Sequence, residues 1–250
     1  MMPPILTGAA PLLESADVLF CDIWGVVHDG VHPYPTAVDA LIRFRARGGT
    51  VILITNAPMP AEAVATLLDQ RRVAREAWNA IVTSGQVALD HVAANRWRRV
   101  VKIAYDFDNS LFDVLDAADT EGAEAEAIVC VGMRDHLHAT PEAFDLLLAA
   151  ASARGLPFVC ANPDLVVDVG GVLVPCAGTL AQRYERQGGR VYWAGKPYAE
   201  IYRAAEAAAV ASRGKAVDRT RILAVGDSAR TDLKGAAAFG VRCIFIGSGI

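Results

Sequence analysis

Short apolar runs alternate with longer amphipathic segments along the whole chain. Nine runs are rich in Val, Ile and Leu, and they read VLFCDIW, TVILITN, AIVTSG, VVKIAY, AIVCVG, PFVCANPD, VYWAG, ILAVGD and CIFIG. Several of the segments between them begin after Thr, Ser or Pro and end at Gly, as capped helices do. Strands that alternate with helices predict an α/β fold with a mainly parallel sheet. The runs lack strict polar alternation, which is typical of strands covered on both faces.

Composition narrows the class of protein. The chain has 250 residues, of which 53% are hydrophobic and 21% are charged, so we expect one or two folded domains. The net charge is −4 and the longest basic cluster is RWRR, so no nucleic-acid partner is expected. No apolar run reaches the roughly 18 residues of a membrane span, and the N-terminus lacks the basic start of a signal peptide. The five cysteines form no CxxC pair, which predicts reduced thiols in a cytoplasmic protein.

Polar residues follow four of the apolar runs, at the point where each predicted strand ends. They are Asp22, Thr55, Asn56, Lys196, Asp227 and Asp232. Each one alone has an ordinary explanation as a helix cap, a turn residue or a surface charge. In open α/β sheets, however, ligands bind beyond the carboxyl ends of the strands. The joint occurrence of several acids, a hydroxyl group and a lysine after strand ends therefore indicates a site.

These residues resemble the motifs of the haloacid-dehalogenase superfamily of phosphotransferases. The DxDG motif of that superfamily corresponds to DIWG here, its strand-end Thr to Thr55, its Lys to Lys196 in GKP, and its acidic motif to GDSARTD. The segments TNAP, TSG, ANPD and GKPYAEIY resemble the class IIA branch of phosphatases. That resemblance implies a Rossmann-like doubly wound parallel-sheet core with an inserted α/β cap domain.

The resemblance also implies a domain organisation and a partner. We expect the core at residues 1–99 and 190–250 and the cap at residues 100–189, because the branch carries its cap between the second and third motifs. The expected partner is a small phosphorylated metabolite. Relatives with such caps often dimerise through them, so the resemblance leaves a homodimer open.

The resemblance assigns a nucleophile and a metal site to the motif residues. Asp22 is implied as the nucleophile that forms an aspartyl-phosphate. Mg2+ is implied as the cofactor, held by the carboxylates of Asp22 and Asp227 and by the backbone carbonyl of Trp24. Asp232 is implied behind them, where it orients waters or Lys196.

Further residues are implied around the substrate. Thr55 and Asn56 are expected to donate hydrogen bonds to phosphoryl oxygens, and Lys196 to offset their charge. Gly25 is expected to let the backbone turn closely around the phosphate. In the cap segment CANPD, Asn162 and Asp164 are predicted to contact the leaving group. The alternative for this segment is an Asn-Pro-Asp turn held by its own side chains.

Trp24 stands where such phosphatases carry a second aspartate. That aspartate is a general acid and base, and this type of help raises rates by about 10² to 10⁴. An indole N–H only donates hydrogen bonds and does not titrate usefully, so Trp24 cannot replace it. Three hypotheses stay open. The chain is a phosphatase with another acid or base (His28 and Asp29 are near in sequence), a phosphotransferase or slow phosphatase for good leaving groups, or a phosphate-binding regulatory protein without turnover.

Overall fold

The computed structural model describes residues 4–6, 8–106, 108–120, 123–135, 138–169 and 172–247. These residues divide into two compact units. The first unit comprises the described residues up to Thr55, then Ala65–Val82, and then those from Tyr202 onward. The second unit comprises Asn56–Val64 and Thr83–Ile201.

The strands of the described residues are β1 (Val18–Cys21), β2 (Thr50–Thr55), β3 (Ala80–Thr83), β4 (Arg99–Ile103), β5 (Ala118–Asp119), β6 (Ala127–Cys130), β7 (Pro157–Cys160), β8 (Val166–Val169), β9 (Val172–Pro175), β10 (Arg190–Trp193), β11 (Ile222–Gly226) and β12 (Arg242–Phe245). The α-helices are α1 (Ala10–Glu14), α2 (Pro35–Ala46), α3 (Ala61–Gln70), α4 (Ser84–Asn95), α5 (Ser110–Val114), α6 (Asp145–Ala153), α7 (Ala177–Arg186), α8 (Ala199–Arg213) and α9 (Lys234–Phe239). Turns of 3₁₀-helix lie at Arg75–Ala77, Pro141–Phe144 and Arg219–Arg221, and a π-helical turn lies at Ala229–Leu233.

The first sheet has the strand order β12-β11-β1-β2-β3. Strand β1 lies at its centre, and all four of its residues are buried. It pairs in parallel with β11 on one side and with β2 on the other. Because the carboxyl ends of parallel strands meet at one edge of a sheet, the residues that follow β1, β2 and β11 lie near one another.

The second sheet is also parallel and has the strand order β10-β7-β6-β4-β5. Its core includes Ile128, Phe158 and Leu180, which are fully buried. The hydroxyl group of the buried Tyr184 donates to the carbonyl of Leu156 at 2.6 Å, so the polar end of this ring is satisfied inside the core. Strands β8 and β9 form a separate antiparallel pair.

The predicted fold class is confirmed by these two parallel five-stranded sheets with their helices. All nine predicted apolar runs contain a strand. The short strand β5 and the β8–β9 pair were not predicted. No helix among the described residues is long and apolar enough to cross a membrane.

The position of β10 differs from the predicted domain organisation. We expected residues 190–250 in the core, but β10 pairs with β7 in the second sheet. The second unit runs from Thr83 to Ile201 in its main part, whereas the predicted cap covers residues 100–189. The physical reason is that strands of both parallel sheets carry the same apolar pattern, so sequence alone does not assign a strand to one sheet or the other.

Candidate active site

Three carboxylates lie together in the first unit. Asp22, Asp227 and Asp232 each offer an oxygen, and these oxygens all lie within 4.8 Å of one another. Asp22 follows β1 and Asp227 follows β11, and the backbone N–H of Asp22 donates to the carbonyl of Val225 at 2.8 Å. Carboxylates at this spacing repel one another, and a hard divalent cation with oxygen ligands removes that repulsion. The donor set therefore fits Mg2+.

The backbone around Asp232 fixes its side chain. Asp232 is buried and lies in the π-helical turn, a type of turn that is frequent at functional sites. Its Oδ2 accepts from the Ser228 N–H at 3.2 Å and from the Thr231 hydroxyl group at 3.4 Å. A Cβ at Gly226 would overlap with the Asp232 side chain, so glycine is required at the end of β11. Asp232 is thus held in place by the strand end as well as by its own turn.

The loop after the nucleophile candidate is tightly turned. The Ile23 N–H donates to Asp22 Oδ1 at 2.7 Å, which restricts rotation of that carboxylate. Gly25 has a φ of +81°, a conformation that glycine adopts readily, and its N–H donates to the His28 carbonyl at 2.8 Å. The backbone therefore makes a tight turn at Gly25. Thr55 ends β2, the strand next to β1, and so lies at the same edge of the sheet as Asp22.

His28 and Asp29 stabilise this loop. The buried His28 accepts the Gly30 N–H on Nδ1 at 2.8 Å, so the neutral ring carries its proton on Nε2. Burial, together with the charge of Arg71, lowers the pKa of His28 to about 4. Asp29 Oδ1 accepts the N–H groups of His32 at 2.6 Å and Val31 at 2.8 Å, and these bonds lower its pKa. Neither group holds a readily released proton at neutral pH, which favours structural roles for both.

The other four predicted site residues meet in the second unit, around Asn56. Its Nδ2 donates to Asp164 Oδ1 at 3.0 Å and to the Lys196 carbonyl at 3.1 Å. Its Oδ1 accepts the Lys196 N–H at 2.7 Å. The Asp164 N–H donates to Asn162 Oδ1 at 3.2 Å, as expected for an Asn-Pro-Asp turn held by its own side chains. Both hydrogens of the Asn56 amide thus have protein acceptors, and the predicted phosphoryl contact would require one of these bonds to open.

Sequence reasoning missed Gly195, which makes this cluster possible. A Cβ at Gly195 would overlap with Asn56 Oδ1 and lie 2.8 Å from both Ser84 Oγ and Pro163 Cδ. The signal in the sequence is a glycine directly before the motif lysine. Lys196 itself is only 2% exposed. Because burial of an ammonium group is costly without oxygen partners, its environment has to supply them.

The structure therefore arranges the predicted site residues in two sets. The first unit holds Asp22, Trp24, Gly25, Thr55, Asp227 and Asp232. The second unit holds Asn56, Asn162, Asp164 and Lys196. The first set includes the three carboxylates suited to a divalent cation, and in the second set Asn56 holds the backbone of the buried Lys196.

Comparisons with known proteins identify the family. Residues 19–119 match the family described as haloacid dehalogenase-like hydrolase, and residues 193–250 match one described as HAD-hydrolase-like. A solved hydrolase of the haloacid dehalogenase-like family from Brucella suis 1330 is 42% identical, with a TM-score of 0.88 over 98% of this chain and 94% of that one. No curated protein sequence matches the chain.

Two more distant solved structures share the fold. A glycerol phosphate phosphatase from Mycobacterium tuberculosis, solved in complex with calcium, is 24% identical with a TM-score of 0.69 over 96% of this chain and 68% of that one. A 4-nitrophenylphosphatase from Thermotoga maritima is 20% identical with a TM-score of 0.74 over 96% of this chain and 88% of that one.

Proposed function

Because the chain belongs to the family of haloacid dehalogenase-like hydrolases, we propose that it is a Mg2+-dependent phosphohydrolase or phosphotransferase that acts on a small phosphorylated metabolite. The observation that carries this proposal is the cluster of Asp22, Asp227 and Asp232 beyond the ends of β1 and β11. A nucleophile beside cation ligands is what phosphoryl transfer requires, since its catalysis is mainly positioning and charge stabilisation. Two distant structural neighbours carry phosphatase names, which is in keeping with the proposal.

Asp22 is the proposed nucleophile. One oxygen of its carboxylate attacks phosphorus, the bond from phosphorus to the leaving-group oxygen breaks, and an aspartyl-phosphate forms. Water, or an acceptor hydroxyl group, then attacks phosphorus and breaks its bond to Asp22, which restores the carboxylate. The hydrogen bond from the Ile23 N–H to Asp22 Oδ1 orients the carboxylate for this attack.

The proposed Mg2+ ligands are the carboxylates of Asp22 and Asp227 and the backbone carbonyl of Trp24, with Asp232 behind them. Bound Mg2+ would offset the negative charge of the phosphoryl group and of the carboxylates. A bound divalent cation is in keeping with the distant M. tuberculosis neighbour, which was solved in complex with calcium. The carbonyl of Trp24 can serve this purpose whatever its side chain is, so the tryptophan does not disable the site.

Roles for the remaining residues follow from the family resemblance. Thr55 donates its hydroxyl hydrogen to a phosphoryl oxygen, Gly25 leaves room for close approach of the backbone, and Lys196 offsets charge. Asn56 holds the backbone of Lys196 and is proposed to contact the phosphoryl group after one of its bonds opens. Asn162 and Asp164 are proposed leaving-group contacts.

A second candidate function is a regulatory protein that binds a phosphorylated metabolite with little or no turnover. One observation favours it: position 24 carries an indole, which cannot exchange a proton usefully. Both candidate functions predict binding of a phosphorylated metabolite, and only the enzyme predicts its turnover.

Phosphate release from a panel of monophosphates, with Mg2+ or with a chelator, tests the proposal. We expect Mg2+-dependent release that Asp22→Asn abolishes and Asp227→Asn reduces by at least roughly 100-fold. An acid quench followed by mass spectrometry should find a phosphoryl group on Asp22. Absence of release from every substrate, with Mg2+ and ligands still raising the melting temperature, would overturn the enzyme and support the binding protein.

A further inference from the structure

Trp24 is exposed at a position next to the candidate nucleophile. It lies two residues after Asp22, and 43% of it is accessible to solvent. Tryptophan is usually well buried because its ring carries a large apolar surface. In the same loop Val31 is 69% exposed. The loop that follows Asp22 therefore carries exposed apolar side chains.

The indole is supported from below by Gly30. A Cβ at Gly30 would lie 3.3 Å from Trp24 Cζ2 and 3.5 Å from Cε2, so the six-membered part of the indole packs close to the bare backbone of Gly30. Gly30 has a φ of +102°, which disfavours any larger residue. The ring of His28 lies 6.5 Å from the indole, centroid to centroid, with the two planes tilted by 39°.

Both backbone groups of Gly30 are fixed by side chains of the same unit. Its N–H donates to His28 Nδ1 at 2.8 Å, and its carbonyl accepts from Arg71 Nε at 2.8 Å. Arg71 is in turn held by a bond from Nη1 to the Leu67 carbonyl at 3.2 Å, at the end of α3. The platform under the indole is thus preorganised, which lowers the entropy that a ligand must lose on binding it.

We infer that the Trp24 indole is a specificity-determining surface for a planar aromatic leaving group, and that Gly30 and Arg71 are positioning residues that hold it. This inference rests on the proposed function and specifies its substrate class as aryl phosphates. An indole face stacks well on another ring, whereas a polar aliphatic group gains little from it.

An aryl leaving group would also explain how the reaction proceeds without the second aspartate as a proton donor. A phenol has a pKa of about 10, as the tyrosine side chain does, whereas water, which approximates an aliphatic alcohol, has a pKa of about 15.7. A phenolate therefore leaves phosphorus without a proton from the enzyme much more readily than an alkoxide does. Trp24 cannot donate a proton as the aspartate would. Instead, it binds a leaving group that departs without one.

Binding of non-hydrolysable phosphonates tests the inference independently of turnover. Phenylphosphonate, cyclohexylphosphonate and methylphosphonate share one head group, and the first two differ mainly in planarity. In the presence of Mg2+ we expect phenylphosphonate to bind the protein about 3- to 10-fold more tightly than cyclohexylphosphonate, as measured by calorimetry. Trp24→Ala should remove this preference, so that phenylphosphonate and cyclohexylphosphonate bind equally tightly, and Trp24→Phe should keep most of it.

Two further variants test the positioning residues without removing the ring. Gly30→Ala and Arg71→Gln should each lower the preference for phenylphosphonate and leave methylphosphonate binding unchanged. Arg72, an exposed neighbour whose side chain makes no hydrogen bond or ion pair among the described residues, supplies the matched control, and Arg72→Gln should have no effect. Circular dichroism verifies that each variant is folded.

The outcomes separate the two proposals. Equal binding of phenyl- and cyclohexylphosphonate to the unaltered protein, or an equal loss of all three ligands in Trp24→Ala, overturns the inference and does not overturn the proposed function. Failure of all three phosphonates to bind the unaltered protein with Mg2+ overturns the proposed function, and the inference with it.

Discussion

In the first unit, different residues supply the negative charge of the candidate site and the apolar surface of its loop. Asp22, Asp227 and Asp232 concentrate negative charge within 4.8 Å, whereas Trp24, two residues after Asp22, carries an exposed apolar ring. Glycines determine where these side chains lie, since Gly226 makes room for Asp232 and Gly30 for the indole. The carboxylates and Trp24 could be predicted from motif spacing. Gly30 and Arg71 could not, because their importance lies in a contact between distant positions in the chain.

Trp24→Asp should raise the rate of phosphate release from alkyl monophosphates. The new carboxyl group can give a proton to the leaving oxygen, so we expect an increase of about 10² to 10⁴ in kcat/KM. Steady-state phosphate release with Mg2+ measures it. Trp24→Asn is the matched control, because it has the same size and no titratable group. A rise in both variants would show that removal of the ring, and not acid catalysis, causes the gain.

Gly195→Ala should weaken the cluster around Asn56. Its methyl group would overlap with Asn56 Oδ1, so we expect a loss of about 1 to 3 kcal/mol in the free energy of unfolding and a lower rate of phosphate release. Denaturant titration provides the measurement. Gly247→Ala, where the new methyl group meets nothing within 4 Å, should be close to neutral. Equal stability of the two variants would contradict the packing argument.

Among the secondary-structure elements, the apolar runs predicted the central strands well. All nine became strands, because a run of Val and Ile residues flanked by turn residues has few alternatives to a buried parallel strand. The β8–β9 pair was missed, although Gly170 and Gly171 between two apolar stretches are a hairpin signal. The assignment of β10 to the second sheet depends on pairing between distant strands, which the pattern of a single run does not contain.

Packing of α4 on β10 predicts a dependence of stability on pH. His91 of α4 stacks on Tyr192 of β10 with ring centroids 3.5 Å apart, and burial lowers the pKa of His91 against the opposing charge of Glu200. The unfolded chain therefore binds this proton more readily, and stability should fall as the pH drops below about 6.5. Melting temperatures at about pH 7 and pH 5 measure the fall.

His91→Phe should reduce this loss of stability on acidification, because it keeps an aromatic ring in the stack without a titrating group. Tyr192→Phe is the control, since it preserves both the stack and the histidine, and its response to pH should match that of the unaltered protein. An unchanged response in His91→Phe would exclude this imidazole as the source.

For the whole molecule, the family and the fold class were predicted correctly. The carboxylate cluster also predicts that stability depends on metal. Without Mg2+ the three like charges repel, so Asp227→Asn should raise the melting temperature by about 2 to 4 °C for each kcal/mol of repulsion removed. With saturating Mg2+ the unaltered protein should gain stability, by about 2.7 kcal/mol at 100 times the Kd, and Asp227→Asn should gain much less. Calorimetry with and without a chelator measures both effects, and a variant less stable in both conditions would contradict them.

The central pairing of the first sheet joins β1 and β11, which lie far apart in the order of synthesis. Val18 in β1 lies opposite Ile222 in β11, whereas every strand of the second sheet lies between Arg99 and Trp193. On the ribosome, the second sheet has all its strands before β11 is synthesised. Until β11 is synthesised, the edge of strand β1 that pairs with β11 stays unpaired, and unpaired strand edges favour aggregation. The nascent chain should therefore depend on chaperones most during synthesis of its middle portion, and Asp22 should acquire its two acidic partners only when the last strands emerge.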